Sequence, residues 1–307
     1  MTMNNVRHSA ERINIEGSIE FDVPMAPYTS FRVGGPAEIF IHPKNWQDVQ
    51  RAMVWADTQG LSFFLLGGGA NILVADEGIP GVVVHTRSLN GIEIDGSLVT
   101  AEAGAEISLV AESAAGADLT GLEFIFRMPG SVGGAVWMNA RCYGVSLNER
   151  LAWVDLIDTD GRPGRYHPRE EDFAYKKSPF QEGRPVITRA GFTLKPGSPE
   201  KIRALMDEHA RDRESKGHFR YPSAGSVFKN DRAFGMPTGK LIDTAGLKGK
   251  RIGGAMIAPF HGNIIVNTGS ATASDILALI RLAEEKVDEI FGFRLEREVL
   301  LVGAWSR

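Results

Sequence analysis

The chain contains one cysteine, Cys142, among 307 residues. That excludes an intramolecular disulfide framework and suits a reducing cytoplasm. No apolar run reaches the roughly 18 residues that a membrane-crossing helix needs, and the polar N-terminus carries no signal-peptide pattern. Neither sign of charge dominates: 34 Lys and Arg face 38 Asp and Glu, for a net charge of −4. No general attraction to nucleic acid or to an anionic membrane is therefore implied. The seven histidines are scattered and form no zinc spacing, so no metal is expected. A P-loop of the form G-x-x-x-x-G-K-[ST] is missing, as is the G-x-S-x-G elbow of the serine hydrolases.

What is abundant is glycine, with 35 residues gathered in four places, so the glycines look positional rather than low-complexity. Hydrophobic content of 43% and charged content of 23% are ordinary for a globular chain, and the length suggests two or three domains. The central stretch is Leu65-Leu66-Gly67-Gly68-Gly69-Ala70-Asn71-Ile72-Leu73-Val74, a predicted strand running into three glycines. Such a loop can turn successive N–H groups into one concavity and hold an anion such as a pyrophosphate. It can equally be a plain turn. Ile72 stands where the Rossmann fingerprint requires Gly or Ala, so a nucleotide bound here implies another fold.

Residues 1–20 read as a polar, loosely ordered tail. A first α/β unit, 21–86, holds the Gly34-Gly35-Pro36 corner, a helix over 44–59 with Trp46, Val49, Met53 and Ala56 on one face, and the triple-glycine loop. A second unit, 87–197, holds a short helix at 107–115 and a second glycine cluster, Pro129-Gly130-Ser131-Val132-Gly133-Gly134-Ala135. Free N–H groups at a helix start there would make another anion site, and a close helix contact is the alternative. A hairpin around Asp158-Thr159-Asp160-Gly161 and a strand at 186–194 follow. Ser198-Pro199-Glu200 opens a helix and the third unit, 198–307. That unit holds an amphipathic helix at 274–291, closed by Gly292, and a last strand at 295–302.

Several groups in this frame could do chemistry. Ser226, between Gly225 and Val227, has no triad pattern around it; it is either a turn serine or an exposed hydroxyl placed for proton transfer. Glu296 and Glu298 share one face of the predicted last strand, with Arg297 opposite. They are either a carboxylate pair at a cleft or salt-bridged edge residues. Tyr175-Lys176-Lys177-Ser178 lies in a loop, and Lys229, Lys248, Lys250 and Arg251 make the third unit suited to an anionic substrate.

Taken together, these segments resemble the UDP-N-acetylenolpyruvoylglucosamine reductases from about Tyr28 to Gly303. Six motifs carry the likeness in order. The first three are Thr29-Ser30-Phe31-Arg32-Val33-Gly34-Gly35, Leu66-Gly67-Gly68-Gly69-Ala70-Asn71-Ile72-Leu73 and Pro129 to Ala135. The others are Tyr221-Pro222-Ser223-Ala224-Gly225-Ser226-Val227-Phe228, Ala245 to Gly249 with Arg251 to Ala255, and Leu295-Glu296-Arg297-Glu298-Val299. The resemblance implies an α+β chain: a two-subdomain FAD-binding fold of the vanillyl-alcohol oxidase type and a C-terminal α/β substrate domain. It implies non-covalent FAD, NADPH as reductant and a nucleotide-sugar substrate in peptidoglycan precursor synthesis, handled by a cytoplasmic monomer. Hydride would pass from flavin N5 to C3 of the enolpyruvyl group and a proton to C2.

The resemblance also implies site residues. The flavin would be cradled by Gly67, Gly68, Gly69, Ala70, Asn71, Ile72, Pro129, Gly130, Ser131, Gly133, Gly134, Ala135, Asn139 and Tyr143. Ser226 would donate the proton, Glu298 would assist at the same carbon, and Tyr175, Lys216, Asn230 and His261 would contact substrate. The family's arginine in a Tyr-Arg-x-Ser loop is here Lys176, which keeps the charge but loses the two-pronged contact to a carboxylate. Arg141 and Cys142 replace two small residues near the flavin, and no long insert carries an extra tyrosine, which marks the compact subtype. An alcohol oxidase of the same fold and a flavoprotein that has lost turnover are the competing readings.

Overall fold

The computed structural model describes residues 3–183 and 185–305. The chain divides into two compact units, each built from separated segments. The first comprises the chain up to Phe21, Ile39–Gly68 and Gly81–Arg211; the second comprises Asp22–Glu38, Gly69–Pro80 and the chain from Asp212 onward. The chain thus crosses between them at Gly68/Gly69, inside the triple glycine.

In the first unit, Phe63–Leu66 runs parallel to Ile79–His85, with Leu66 opposite His85. These strands belong to a four-stranded sheet that also contains Ser18–Pro24 and Pro36–His42. Helix α1 (Met3–Ala10) and helix α2 (Trp46–Thr58) feed one core with it: Val6, Ala10, Ile39, Ile41, Val49, Ala52, Ala56, Val82 and Val84 are all buried. The expected loose tail is therefore a helix followed by a strand, because Val6 and Ala10 find apolar partners that the local sequence does not reveal. Asn45 starts α2, its side chain accepting from the Asp48 amide.

The same unit holds a five-stranded antiparallel sheet, ordered Pro163–Tyr166, Leu151–Ile157, Val186–Thr193, Leu98–Glu102, Ile92–Asp95. Helix α3 (Ile107–Gly116) and the short helix α4 (Val132–Trp137) share its core, with Val99, Val110, Ile125, Val136, Phe180 and Phe192 buried. Helix α5 (Pro199–Ser215) follows.

The second unit has a three-stranded antiparallel sheet, Arg251–Ile252, Ala255–Ile257 and Ile265–Asn267. Helix α6 (Thr238–Thr244) and the long helix α7 (Ala273–Phe291) pack into one core with it. The predicted stripe of Ile276, Leu279, Ile280, Ala283, Val287 and Ile290 is the buried face of α7 as far as Val287, while Ile290, in the last turn, is exposed. Thr272 and Asp275 form a capping box at its start, and Gly292 ends it at φ 68°. Asp76, 197 positions upstream, also receives the amides of Ala273 and Ser274 and the Ser274 hydroxyl. Burial pushes the Asp76 carboxyl up, but these bonds outweigh it and hold its pKa below the ordinary value.

The predicted last strand is shorter than expected. Only Leu300–Val302 is a strand, parallel to Ile72–Val74. Over 295–299 the alternation breaks, because the amides of Glu298 and Val299 both donate to the Val227 carbonyl, at 2.8 and 3.2 Å. Glu296 and Glu298 are consequently not a pair along a regular strand. Glu296 is bound by Lys229 Nζ at 2.6 Å, and Arg297 forms a two-pronged pair with Glu284.

Candidate active site

In the first unit, Gly67 and Gly68 leave the sheet against a turn made by Gly130 and Ser131. A Cβ on Gly68 would stand 2.7 Å from the Gly130 Cα, and one on Gly67 would run into Ser131 Oγ. Only glycine permits this approach. The two glycine-rich segments thus meet at closest approach, with no room for a side chain on Gly67 or Gly68.

The start of α4 differs from expectation. Val132 N donates to Ala105 O at 2.9 Å and Gly133 N to Ala103 O at 2.8 Å. Gly134 N donates to the capping Ser131 Oγ at 3.3 Å. These three amides hold the helix in place and are not free for an anion. Gly133 allows the close seat, since a Cβ there would lie 3.0 Å from the Ala103 Cβ. Ala135 packs in the core, and Pro129 is exposed in the preceding turn.

The loop carrying Lys176 belongs to the same unit. Ala174 and Lys177 exchange two backbone hydrogen bonds, at 3.2 and 3.0 Å, leaving Tyr175 and Lys176 at the tip. Lys176 is left-handed, at φ 57°. Four side-chain bonds fix this turn. Asn139 Nδ2 donates to Ala174 O at 3.0 Å; Gln181 Nε2 donates to Lys176 O and Trp137 O at 3.1 and 3.0 Å; Ser178 Oγ donates to Trp137 O at 2.6 Å. Because Trp137 ends α4, the loop is tied to the helix that Ser131 begins. Tyr143 is stacked on His209 at 3.9 Å between ring centroids, with its hydroxyl donating to His209 O.

In the second unit, Gly69 takes φ 60° and accepts from Ser30 N at 3.0 Å. Ala70 and Asn71 follow, and Ile72 opens the strand beside Leu300. Asn71 brackets Glu298: its Nδ2 donates to Glu298 O at 3.0 Å and its carbonyl accepts from Leu300 N at 3.0 Å. Glu298 is also joined to Ser226 through one residue. Val227 accepts from Glu298 N at 2.8 Å and donates to Asn263 O at 2.9 Å. Ser226 is half-buried and bridges Ile264 on the antiparallel neighbour. Phe228, fully buried, is held at both backbone groups by the Asn263 side chain: its N–H donates to Oδ1 at 2.9 Å and its carbonyl accepts from Nδ2 at 2.8 Å. Thr238 takes over one step later, donating to Lys229 O at 2.7 Å.

His261 lies in the same unit. Its Nδ1 accepts from Asn263 N at 3.2 Å, which puts the ring proton on Nε2. Burial, Lys216 and Lys248 push the His261 pKa down, and burial with Arg213 and the other ring does the same to His218, 6.4 Å away. Lys216 is exposed and paired with Asp212 at 2.7 Å. Asn230 Oδ1 accepts from Thr238 N at 2.9 Å. The structure thus groups Ser226, Glu298 and Asn71; it groups His261 with the cationic Lys216 and Lys248; and it groups Lys176, Tyr175 and Asn139. Asn263, Gln181 and Thr238 carried no signal in the sequence, because their importance lies in bonds to residues 5 to 44 positions away. Among the described residues, no cluster of His, Cys, Asp and Glu suits a metal ion, and no helix is long and apolar enough to cross a membrane.

Comparison with known proteins bears on this arrangement. Residues 37–165 match the FAD binding domain, and residues 217–302 match the UDP-N-acetylenolpyruvoylglucosamine reductase C-terminal domain. The UDP-N-acetylenolpyruvoylglucosamine reductase of Treponema denticola is 45% identical over 95% of both chains. The same enzyme of a Synechococcus species is 39% identical over 98% of this chain and 96% of its own. The crystal structure of the reductase from Thermus caldophilus superposes with a TM-score of 0.80 at 36% identity, covering 93% of this chain and 99% of that one.

Proposed function

The chain belongs to the UDP-N-acetylenolpyruvoylglucosamine reductase family, and from that premise we propose that Ser226, Glu298 and Lys176 are its catalytic residues. The protein is an FAD-dependent oxidoreductase that reduces UDP-N-acetylglucosamine enolpyruvate to UDP-N-acetylmuramate with NADPH, for peptidoglycan synthesis. Bound FAD supplies the two-electron transfer between NADPH and C3 of the enolpyruvyl group.

The observation that carries the assignment is the crossing at Val227. It holds the backbones of Ser226 and Glu298 in one hydrogen-bonded arrangement, although they are 72 positions apart. In this reading Ser226 Oγ–H gives its proton to C2, and the Glu298 carboxyl orients and replenishes that proton. Lys176 neutralises the charge that develops on the substrate carboxylate. In this reading the turn of Gly67 and Gly68 against Gly130 holds the pyrophosphate, and Gly69 to Ile72, Pro129 to Ala135, Asn139 and Tyr143 are the other residues assigned to the flavin. His261 offers Nε2–H, and Lys216, Asn230 and Tyr175 complete the substrate contacts. Functionally, residues 21–86 and 87–197 are the two FAD subdomains and 198–307 the substrate domain, consistent with the spans of the two family matches. The single cysteine suits the cytoplasm, and we assign the working form as a monomer.

Anaerobic absorbance spectroscopy tests this. Flavin bands should bleach with NADPH and return when the enolpyruvyl nucleotide-sugar is added. Bleaching without return would assign the protein to flavin binding without this turnover, and bleaching by a simple alcohol, with return on exposure to oxygen, would favour an oxidase.

A further inference from the structure

We infer that Asn263 is a positioning residue for catalysis: it sets the placement of Ser226, and through Val227 that of Glu298, while presenting His261 to substrate. The inference rests on the roles proposed above for those three residues. Its basis is that Ser226 lies in no regular strand. The segment over 225–229 starts from a left-handed Gly225, at φ 71°, bends again at Val227, and shares only isolated bridges with its neighbours, at Ser226 and Phe228. A ladder would normally fix such a segment at every second residue. Here the Asn263 side chain takes the place of a missing strand, bonding both the N–H and the carbonyl of Phe228.

Four hydrogen bonds converge on this one residue. The side chain holds Phe228, the carbonyl holds Val227 N–H, and the amide holds His261 Nδ1. Asn263 is 2% exposed, so water cannot substitute for a lost bond, and a polar group left unsatisfied there forces its neighbours to shift. The site of Asn263 is itself constrained. Gly262 packs on the Gly239 carbonyl of α6, where no Cβ fits, and a Cβ on Gly239 would lie 3.4 Å from the Asn263 Cβ. Asn263 therefore moves little relative to α6, and its bonds transfer that fixity to Val227 and Phe228. Because the Val227 carbonyl also receives Glu298 N–H, a shift of Val227 displaces both catalytic groups together. An amide is required. A carboxylate at this position keeps the bond from Phe228 N–H but sets an oxygen against the Phe228 carbonyl, and a serine is too short to reach both groups.

The test compares Asn263→Asp and Asn263→Ser with Ser226→Ala and the Ser226→Ala/Asn263→Ser double variant, all as FAD-loaded enzyme. Flavin reduction by NADPH and flavin reoxidation by substrate are followed separately. Amide hydrogen exchange is read by mass spectrometry over 222–230 and 295–300. Asn263→Ser should slow reoxidation by about 10- to 100-fold, the range expected when a catalytic group is misplaced by about 1 Å, and leave flavin reduction unchanged. Exchange should accelerate in both peptides, and the double variant should be no slower than Ser226→Ala. Three results would overturn the inference. One is equal loss of both half-reactions in step with the melting temperature, and another is additive losses in the double variant. The third is unchanged exchange in both peptides. If Ser226→Ala slows reoxidation while the Asn263 variants do not, only this inference falls. If Ser226→Ala itself leaves reoxidation intact, the proton-donor assignment falls and takes this inference with it.

Discussion

Two regions place the three proposed catalytic side chains, and they do so by opposite means. The Lys176 turn is local. Its ends, Ala174 and Lys177, bond to each other, and its left-handed tip projects a half-buried lysine beside an exposed tyrosine. The Ser226–Glu298 crossing is assembled from three distant stretches, near positions 71, 227 and 298, with Asn263 as the clasp. The turn anchors through side chains that reach carbonyls, so it tolerates variation at its tip; the crossing shares single backbone atoms among several partners, so a change at one is felt by all. A charge that must only lie near a carboxylate can be held by the first device. A hydroxyl that must pass a proton to one carbon requires the second.

That contrast predicts a ranking. Ser226→Ala, which removes the proton itself, should slow flavin reoxidation by substrate by about 10²- to 10⁴-fold, while reduction by NADPH stays nearly intact. Stopped-flow absorbance of the two half-reactions decides this, and equal loss in both would remove Ser226 from its role. Glu298→Gln retains the backbone bonds to Val227 and Asn71 and loses only the carboxylate. We expect about a 100-fold slowing of the same step, and an unaffected oxidative half-reaction would place Glu298 outside the chemistry.

The contrast also explains what the sequence disclosed. The Lys176 loop, the triple glycine and the helix stripes of α7 are local patterns, and each lies where its motif predicts. Helix α1 is not legible in the sequence, because its burial depends on Ile39, Ile41 and Val49, which no window around Met3–Ala10 contains. The last strand is shorter than its alternation implies, because the pattern over Leu295 to Val299 does not disclose that two amides converge on Val227. The amides at the start of α4 were expected to be free, yet Ala103 and Ala105, some 30 residues upstream, occupy two of them. Asn263 is the extreme case: one asparagine whose side-chain partner, Phe228, is 35 positions away.

The local device is tested at its anchors and at its tip. Gln181→Leu removes both bonds from Nε2 to the Lys176 and Trp137 carbonyls. About a tenfold fall in substrate-driven reoxidation is expected, equivalent to one or two lost hydrogen bonds, with NADPH-driven reduction unchanged. Lys176→Arg should hold or raise the rate, because it keeps the charge and adds a planar fork for the carboxylate. A large loss from Lys176→Arg, with Gln181→Leu silent, would show that this turn does not meet the substrate, and the comparison between the two regions would lose one of its members.

Acid separates the two units by the smallest effect. In the first unit His85, opposite Leu66 at the edge of the triple glycine, has its pKa pushed down to about 4, by burial first and then by His42 and Arg87. The unfolded chain takes up this proton near 6.5 and the folded chain does not until about 4, so the stability in question is full above pH 6.5 and declines as pH falls toward 4. One unit of acidification, from 6.5 to 5.5, should cost about 1 kcal/mol. In the second unit the bonds that Asp76 accepts at the start of α7 are lost in the same direction, as pH falls, but at a lower pH. Its carboxyl is held below 3.8, so those bonds persist until the acid range of ordinary carboxylates has been passed. Thermal unfolding at pH 6.5 and 5.5 should therefore show a lower melting temperature at 5.5, and His85→Gln should flatten that difference while Asp76→Asn leaves it in place. If the drop survives His85→Gln unchanged, the proton that loosens the fold enters elsewhere, and acid sensitivity no longer distinguishes the unit that holds Gly67 and Gly68 from the one that holds Ser226.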